Sequence, residues 1–455
     1  MEKNSANSLS KLNRMGEAPV GRLLLSMSWP AILSMSIGAL YNIVDSIFVA
    51  MISQEALTAV SLVMPFQVLI IAVGVGSGVG VNSLIARRLG EKKYEEANKA
   101  AGTTVKIAFF NYCIFLLCGL FVTEPFLKLY TNDPVVLEAG IIYMRIICCL
   151  SLSFLMQLGF EKVMQSTGNM IGPMTMAISG AIVNLVLDPI LIFGLLGAPK
   201  LGVAGAAIAT VMGQTVAFFI GIYIFKTKES PIEVKWRGVK IDWKIVKEIY
   251  AVGLPSIIMQ AISSAMLIIY NSIIAASAVA VAVLGVYFKL QSLVFMPVFG
   301  LTQGALPIMG YNYGARNKDR LMKVFKFALI ASTVYLCLCT LVFELFPDFL
   351  LSLFSANEEM MEIGIPAFKI IGLSFLMASL DVIGSTFFQA TGHGLYSLFG
   401  SLVRQFVGIL PIAWFLYNQV GIKASWASFP LAEILGFTYG LIMMIVLYRK
   451  EISKL

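Results

Sequence analysis

Apolar positions in this chain fall neither in short alternating runs nor on one face of amphipathic helices. They form long stretches separated by short polar segments. A helix needs about 20 mostly apolar residues to cross a bilayer. Twelve stretches qualify, approximately Leu23–Ala50, Leu57–Ile85, Thr103–Val122, Gly140–Met164, Pro173–Leu196, Val203–Phe225, Ile249–Ala276, Ala278–Met309, Phe325–Phe346, Ile363–Phe388, Tyr396–Tyr417 and Ser425–Leu447. They are too long for transmembrane strands and lack sustained period-two alternation, so an all-α integral membrane protein is expected. The polar segment Met1 to Gly21 has no apolar core followed by a small-residue cleavage site. The first stretch is therefore expected to be a retained span, not a signal peptide.

The connections alternate in charge. Lysine and arginine crowd both chain ends and the connections after the second, sixth and eighth stretches, whereas the opposite set holds only Lys128, Lys200 and Lys423. This bias puts both termini in the cytoplasm. It also accounts for the net charge of +8 without nucleic acid, because the positive charge marks one membrane face.

The stretches form two sets of six. Pro30 matches Pro255 at an offset of 225 residues. Gly90, in Arg-Leu-Gly-Glu-Lys-Lys, matches Gly314, in Asn-Tyr-Gly-Ala-Arg-Asn, at 224, and Gln165-Ser-Thr-Gly168 matches Gln389-Ala-Thr-Gly392 at 224. Asp188-Pro189 falls on Leu410-Pro411 at 222. Four matches at nearly constant offset imply homologous lobes, 1–225 and 249–455, joined by a basic cytoplasmic linker, 226–248. An even number of spans per lobe sets the pseudo-two-fold axis along the membrane normal.

Composition agrees. The chain is 58% hydrophobic and 13% charged, against roughly 25% charged in soluble domains. Its six cysteines lie inside apolar runs without disulfide or zinc spacing, and read as small core hydrophobes. His393 is the only histidine, which leaves little for a histidine-based metal site. Gly74-Val-Gly76-Ser-Gly78-Val-Gly80 fails the spacing of a phosphate loop and lies inside a span, where it suits close helix packing. No Walker sequence, nucleophile elbow or zinc-protease helix occurs, so neither direct ATP drive nor an enzyme is expected.

Ionised groups inside a bilayer cost at least ~2.5–3.5 kcal/mol each, and so call for a partner, a watery cavity or a function. Asp45 lies deep in the first stretch and Asp188 in the fifth. Asn184 is one turn from Asp188 on the same face. Pro189 lacks an N–H, which frees a carbonyl one turn earlier. Ala206 and Thr210 are likewise one turn apart in the sixth stretch. Carboxylates, an amide, a hydroxyl and a carbonyl form a hard-oxygen set suited to Na⁺ or a proton, and unsuited to a soft metal. The competing reading of each aspartate is a hydrogen-bonded brace for a kink. The repeat weighs against that reading: Asp45 aligns with Tyr270 and Asp188 with Leu410, so one lobe alone keeps the acids. Glu161 and Lys162 are expected to pair or snorkel near a membrane face. Asp381, Lys289, Arg404 and Glu433 are expected to pair among themselves, with Asp381 as a second proton site the alternative. The 23 methionines and 11% aromatics serve packing, and would also suit a pocket for flat cations.

With Pro30, Tyr41-Asn-Ile-Val-Asp45, Ala86-Arg-Arg-Leu-Gly90, Gln165-Ser-Thr-Gly168, Asn184-Leu-Val-Leu-Asp188-Pro189 and Gly205-Ala-Ala-Ile-Ala-Thr210 in this order, the whole chain resembles the multidrug and toxic compound extrusion (MATE) family. The first-lobe acids are similar to those of its DinF-like branch, including MepA-like proteins. The second lobe lacks the acid in span 7 expected of NorM-like members. The resemblance implies a V-shaped 6+6 bundle in the cell membrane, an antiporter that exports amphipathic organic cations against H⁺ or Na⁺. It implies no cofactor beyond the coupling ion, no partner beyond small-molecule substrates and the lipid bilayer, and a monomer. Asp45, Asn184, Asp188 and Thr210 match the family's first-lobe cation site, Ala206 contributes through its backbone, and Tyr41 and Phe154 match substrate-contacting positions. A lipid-linked precursor flippase of the same superfamily is the alternative. Twelve spans without extra helices, and few cavity cations for a pyrophosphate, count against it. A receptor or channel would not explain paired acids in one lobe.

Overall fold

A computed structural model describes residues 14–227, 231–234, 242–354 and 356–455. Residues 1–13 of the N-terminal segment, and 228–230 and 235–241 of the expected linker, lie outside the described residues. Among the described residues, ten helices are long and apolar enough to cross a membrane: Val20–Ala50, Gln54–Gly90, Tyr94–Phe121, Ile171–Phe193, Val203–Thr227, Trp243–Ile274, Ala278–Gly314, Lys318–Leu345, Gly394–Val420 and Ile422–Lys454. They are spans 1, 2, 3, 5, 6, 7, 8, 9, 11 and 12.

Spans 4 and 10 are bent pairs, Pro134–Cys149 with Leu152–Ser166 at 45°, and Glu358–Gly372 with Phe375–Ala390 at 49°. The sequence predicts each as a single span, and the structure breaks both. Each break tightens into an i→i−3 turn, Ser151 N–H donating to the Cys148 carbonyl and Ser374 N–H to that of Ile371. Ser151 Oγ also donates to the Cys148 carbonyl at 2.8 Å, competing with the regular helical bond.

The repeat extends to the helix caps. Ser53 and Ser277, 224 residues apart, each accept a backbone N–H three residues on, from Ala56 and Ala280. Asp133 and Asn357 cap the first segments of spans 4 and 10 at the same offset. The left-handed residues pair likewise, Lys92 with Arg316 and Gly168 with Gly392. The lobes differ in span 11, where Val403–Ile409 is π-helical, whereas its counterpart, span 5, is α-helical throughout.

Span 2 joins the lobes through its glycines. At 100° per residue, positions two apart face opposite ways and positions four apart face the same way. Gly74 and Gly78 abut Leu158 and Lys162 of span 4 in their own lobe, while Gly76 and Gly80 abut Gly253 of span 7 in the other. A side chain at either of the latter would collide with the span 7 backbone. The repeat mates Gly90 and Gly314 pack reciprocally, Gly90 on the Tyr311 carbonyl and Gly314 on the Arg87 carbonyl. Span 8 meets span 1 in the same way, with Gly300 against Ile32 and Gly304 against Ser28. These contacts lie in the halves of spans 1, 2, 7 and 8 on the side of the chain ends. On the other side Leu40, Ile43, Ile47 and Ile268 are exposed, and Gly38 and Gly285 have open space where a side chain would start. The lobes thus meet on one side and part on the other.

Candidate functional site

Span 5 carries Asn184 and Asp188 one turn apart, and span 6 carries Thr210. The two helices can touch because Gly213 lies against the Gly180 carbonyl and the Asn184 Cβ. That close approach seats Asn184 between Asp188 and Thr210. With its amide oriented to satisfy both ends, Asn184 donates to Asp188 Oδ2 at 3.1 Å and accepts from the Thr210 backbone N–H at 3.2 Å. Asp188 is fully buried.

Span 1 brings Asp45 to the same place, where its carboxyl is close enough to that of Asp188 to share a hydrogen bond. Two carboxylates can share one only through a proton, and a metal cation can take the proton's place. Asp45 Oδ1 is buried and has no hydrogen-bond partner. Among the described residues no salt bridge reaches either acid. Tyr41, one turn before Asp45, lies within electrostatic reach of both carboxyls. Phe48 and Phe193 meet edge to face just beyond the acids, with ring centroids 6.4 Å apart.

The structure therefore brings Asp45, Asp188, Asn184, Thr210 and Tyr41 together. Ala206 is buried one turn before Thr210 and packs in the apolar cluster formed by Val49, Ile192 and Tyr143, on whose margin Phe154 also lies. Two residues enter the site that sequence reasoning does not single out. Tyr143, from the first segment of span 4, lies within electrostatic reach of Asp45 and Asp188. Gln67 of span 2 donates to its hydroxyl at 3.2 Å. The signal for Gln67 is an amide inside an apolar span, whereas a lone tyrosine there reads as packing.

The second-lobe charges form their own cluster. Arg404, on the π-helical stretch, donates from Nη1 to Glu433 Oε1 at 2.8 Å, and its Nε is 3.5 Å from Asp381 Oδ2. Lys289, expected to join them, instead lies over the Phe354 ring at 5.9 Å, because that ring offers its face nearby. Glu161 and Lys162 do approach one another, at 3.5 Å.

The MatE family profile matches the chain twice, at residues 30–190 and 255–414, once per lobe. The probable multidrug resistance protein NorM of Thermotoga maritima is 26% identical over 90% of this chain and 89% of its own. The multidrug export protein MepA of Staphylococcus haemolyticus is 23% identical over 92% and 91%. A protein of Shewanella oneidensis named FAD transporter is 26% identical over 92% and 93%. Among solved structures, a MATE crystal structure in the bent conformation aligns with a TM-score of 0.89 at 25% identity, covering 97% of this chain and 99% of that one.

Proposed function

The chain belongs to the MatE family, and on that premise we propose that it is a secondary active exporter, moving amphipathic organic cations out of the cell in exchange for H⁺ or Na⁺. The observation that carries this reading is the Asp45–Asp188 pair, which has no salt-bridge partner among the described residues and leaves Asp45 Oδ1 unpartnered. Such a pair attracts a proton, Na⁺ or the substrate's positive charge, and cannot serve them equally at once. Asn184 and Thr210 orient Asp188. Tyr41 and Phe154 form part of the substrate surface, and the Ala206 backbone completes the ion site.

Exchange then follows from linkage. An empty, anionic pair favours an organic cation. Arrival of H⁺ or Na⁺ neutralises the pair and weakens substrate binding by the same coupling free energy. The loaded site bends span 1 near Pro30, and the lobes exchange which side is open. Differential affinity for the two states is what lets the ion drive the change. With both termini in the cytoplasm, as the lysine and arginine bias indicates, the lobe arrangement described here opens outward. The protein acts as a monomer in the cell membrane.

The relative named FAD transporter favours a second reading, an anionic substrate. Such a substrate calls for free cations, whereas Arg404 is held by Glu433 and Asp381 and Lys289 lies over the Phe354 ring. Cation export is the better fit. The test is movement of a fluorescent organic cation in inverted vesicles under separately imposed proton and sodium gradients. Export that ignores both gradients overturns the exchange reading, and lipid scrambling without dye movement would favour a flippase.

A further inference from the structure

Among the described residues, one lysine is buried where the lobes meet. Lys162, in the second segment of span 4, is 5% exposed. Its ammonium donates to Gln165 Oε1 at 2.9 Å and, across the lobe junction, to Gln303 Oε1 of span 8 at 3.2 Å. Gln165 Nε2 donates to that same Gln303 oxygen at 3.0 Å and to Glu161 Oε1 at 2.8 Å. Gln303 Nε2 in turn reaches Met35 Sδ at 3.4 Å. Glu161, Gln165, Gln303 and Met35 border a cavity of about 170 Å³ beside span 1.

A buried ammonium is tolerated only while it is paired. Lys162 has one partner set in its own lobe, Gln165 and Glu161, and one partner, Gln303, in the other. When the lobes part on this side, only Gln303 leaves, and the Glu161 carboxylate, already 3.5 Å away, remains. Gln303 also grips Met35, five residues beyond Pro30, on the helix that carries Asp45. The repeat shows that the shared scaffold does not require this cluster: at an offset of 224, Glu161 and Lys162 fall on Ser385 and Thr386. Arg88 also reaches Glu248 across the junction, but it lies nearer water, where screening makes ion pairs weak.

We propose that Lys162 and Gln303 are positioning residues of the transport cycle, a latch in which Gln303 holds the lysine while this side is closed and Glu161 takes it over when this side opens. The proposal rests on the exchange reading above. It makes a signed prediction. Gln303→Leu removes the cross-lobe acceptor and should raise the population open on the chain-end side about tenfold, as expected for a hydrogen bond to a charged group. Gln303→Glu places a carboxylate opposite the ammonium and should lower that population.

The experiment uses the full chain, its cysteines replaced, in lipid nanodiscs. Spin labels at exposed Glu95 and Asp319, one on each lobe, report the distance distribution with and without a transported cation. Opposite shifts for the two Gln303 variants support the latch. Shifts of the same sign, as a packing defect would give, or no shift while two distance populations are seen, overturn the latch alone. A single population under every ion and substrate condition overturns the latch and the exchange reading together.

Discussion

In the first lobe Asp45 and Asp188 face one another with no salt-bridge partner among the described residues, whereas in the second Asp381 and Glu433 share Arg404. The scaffold is the same, down to its caps, yet the positions of the first-lobe acids are filled differently. At the place of Asp45 stands Tyr270, whose hydroxyl donates to the Ser425 carbonyl and whose ring stacks on Trp426. At the place of Asp188 stands buried Leu410. Around them Tyr287, Phe343, Phe375 and Phe429 close the core with edge and stacked contacts. Glu433 Oε2 is also unpartnered, but its other oxygen is met by the guanidinium. An acid that carries its own internal cation has little reason to exchange one with solvent. The comparison separates a lobe whose buried acids have no internal cation among the described residues from a lobe whose acids do.

The largest effect that could break this comparison is on coupled export. Asp45→Asn keeps shape and hydrogen bonding and removes the charge, so gradient-driven dye export in proteoliposomes should fall about 100-fold, the upper range of coupling between two sites. The variant should still fold and insert. Wild-type export by well-folded Asp45→Asn protein would remove the first lobe's claim to the coupling site.

Next in size is stability, where the lobes should reverse. Glu433→Gln unpairs half of a buried ion pair and should destabilise the protein by about 3 kcal/mol, the lower end for such losses because Asp381 still faces Arg404. Asp188→Asn keeps an oxygen that can accept from Asn184 and removes one of two neighbouring acids, so it should leave thermal unfolding in detergent essentially unchanged. Equal losses in both variants would mean that the first-lobe acids are structural braces.

Affinity gives a smaller, signed effect. If one proton and one organic cation compete for the acid pair, lowering the pH through the range in which the pair takes up its proton should weaken cation binding by about tenfold per pH unit. Na⁺ at constant pH should weaken it too. Asp45→Asn should flatten both responses, whereas Asp381→Asn should leave them in place. Binding to purified protein that is flat with pH and Na⁺, for a cation shown to be exported, would separate this site from coupling.

Much of this architecture is legible in the sequence, because span length and the lysine and arginine bias are set by the bilayer itself. The repeat is legible because Pro30, Gly90 and Gln165-Ser-Thr-Gly168 recur at a nearly constant offset; Gly90 packs against the Tyr311 carbonyl and Gly168 is left-handed, which leaves little room for another residue at either. The Asn184–Asp188 turn could be read from spacing alone, and the structure adds what spacing cannot, the approach of span 1 to span 5. The bends at Ser151 and Ser374 were hidden, because a serine within an apolar run breaks no hydropathy pattern. The π-helical stretch at Arg404 is hidden because a change from i→i−4 to i→i−5 bonding leaves the apolar length of the span unchanged. Tyr143 and Gln67 reach the site from helices that the Asp45 and Asp188 segments do not predict. Lys289 shows the limit of counting charges: a ring from the loop after span 9 took the place of an acid.

The smallest effect is the one that sharpens the comparison most. Asp381 is the second-lobe acid closest in kind to Asp45, ionisable and inside a span, so the contrast between lobes stands or falls with it. Its contact with Arg404, at 3.5 Å, is looser than the 2.8 Å bond from Arg404 to Glu433. Asp381→Asn therefore leaves a neutral Arg404–Glu433 pair and replaces only the looser ionic contact with an uncharged amide. It should lower coupled export only about two- to threefold, and stability by no more than the ~1 kcal/mol typical of a single hydrogen bond. Because the lobes are proposed to act independently in ion binding, Asp381→Asn combined with Asp45→Asn should be no worse than the product of the two single effects. Export by Asp381→Asn as low as that of Asp45→Asn, from protein that unfolds at the wild-type temperature, would place the coupling acid in the second lobe and reverse the roles argued for the two halves.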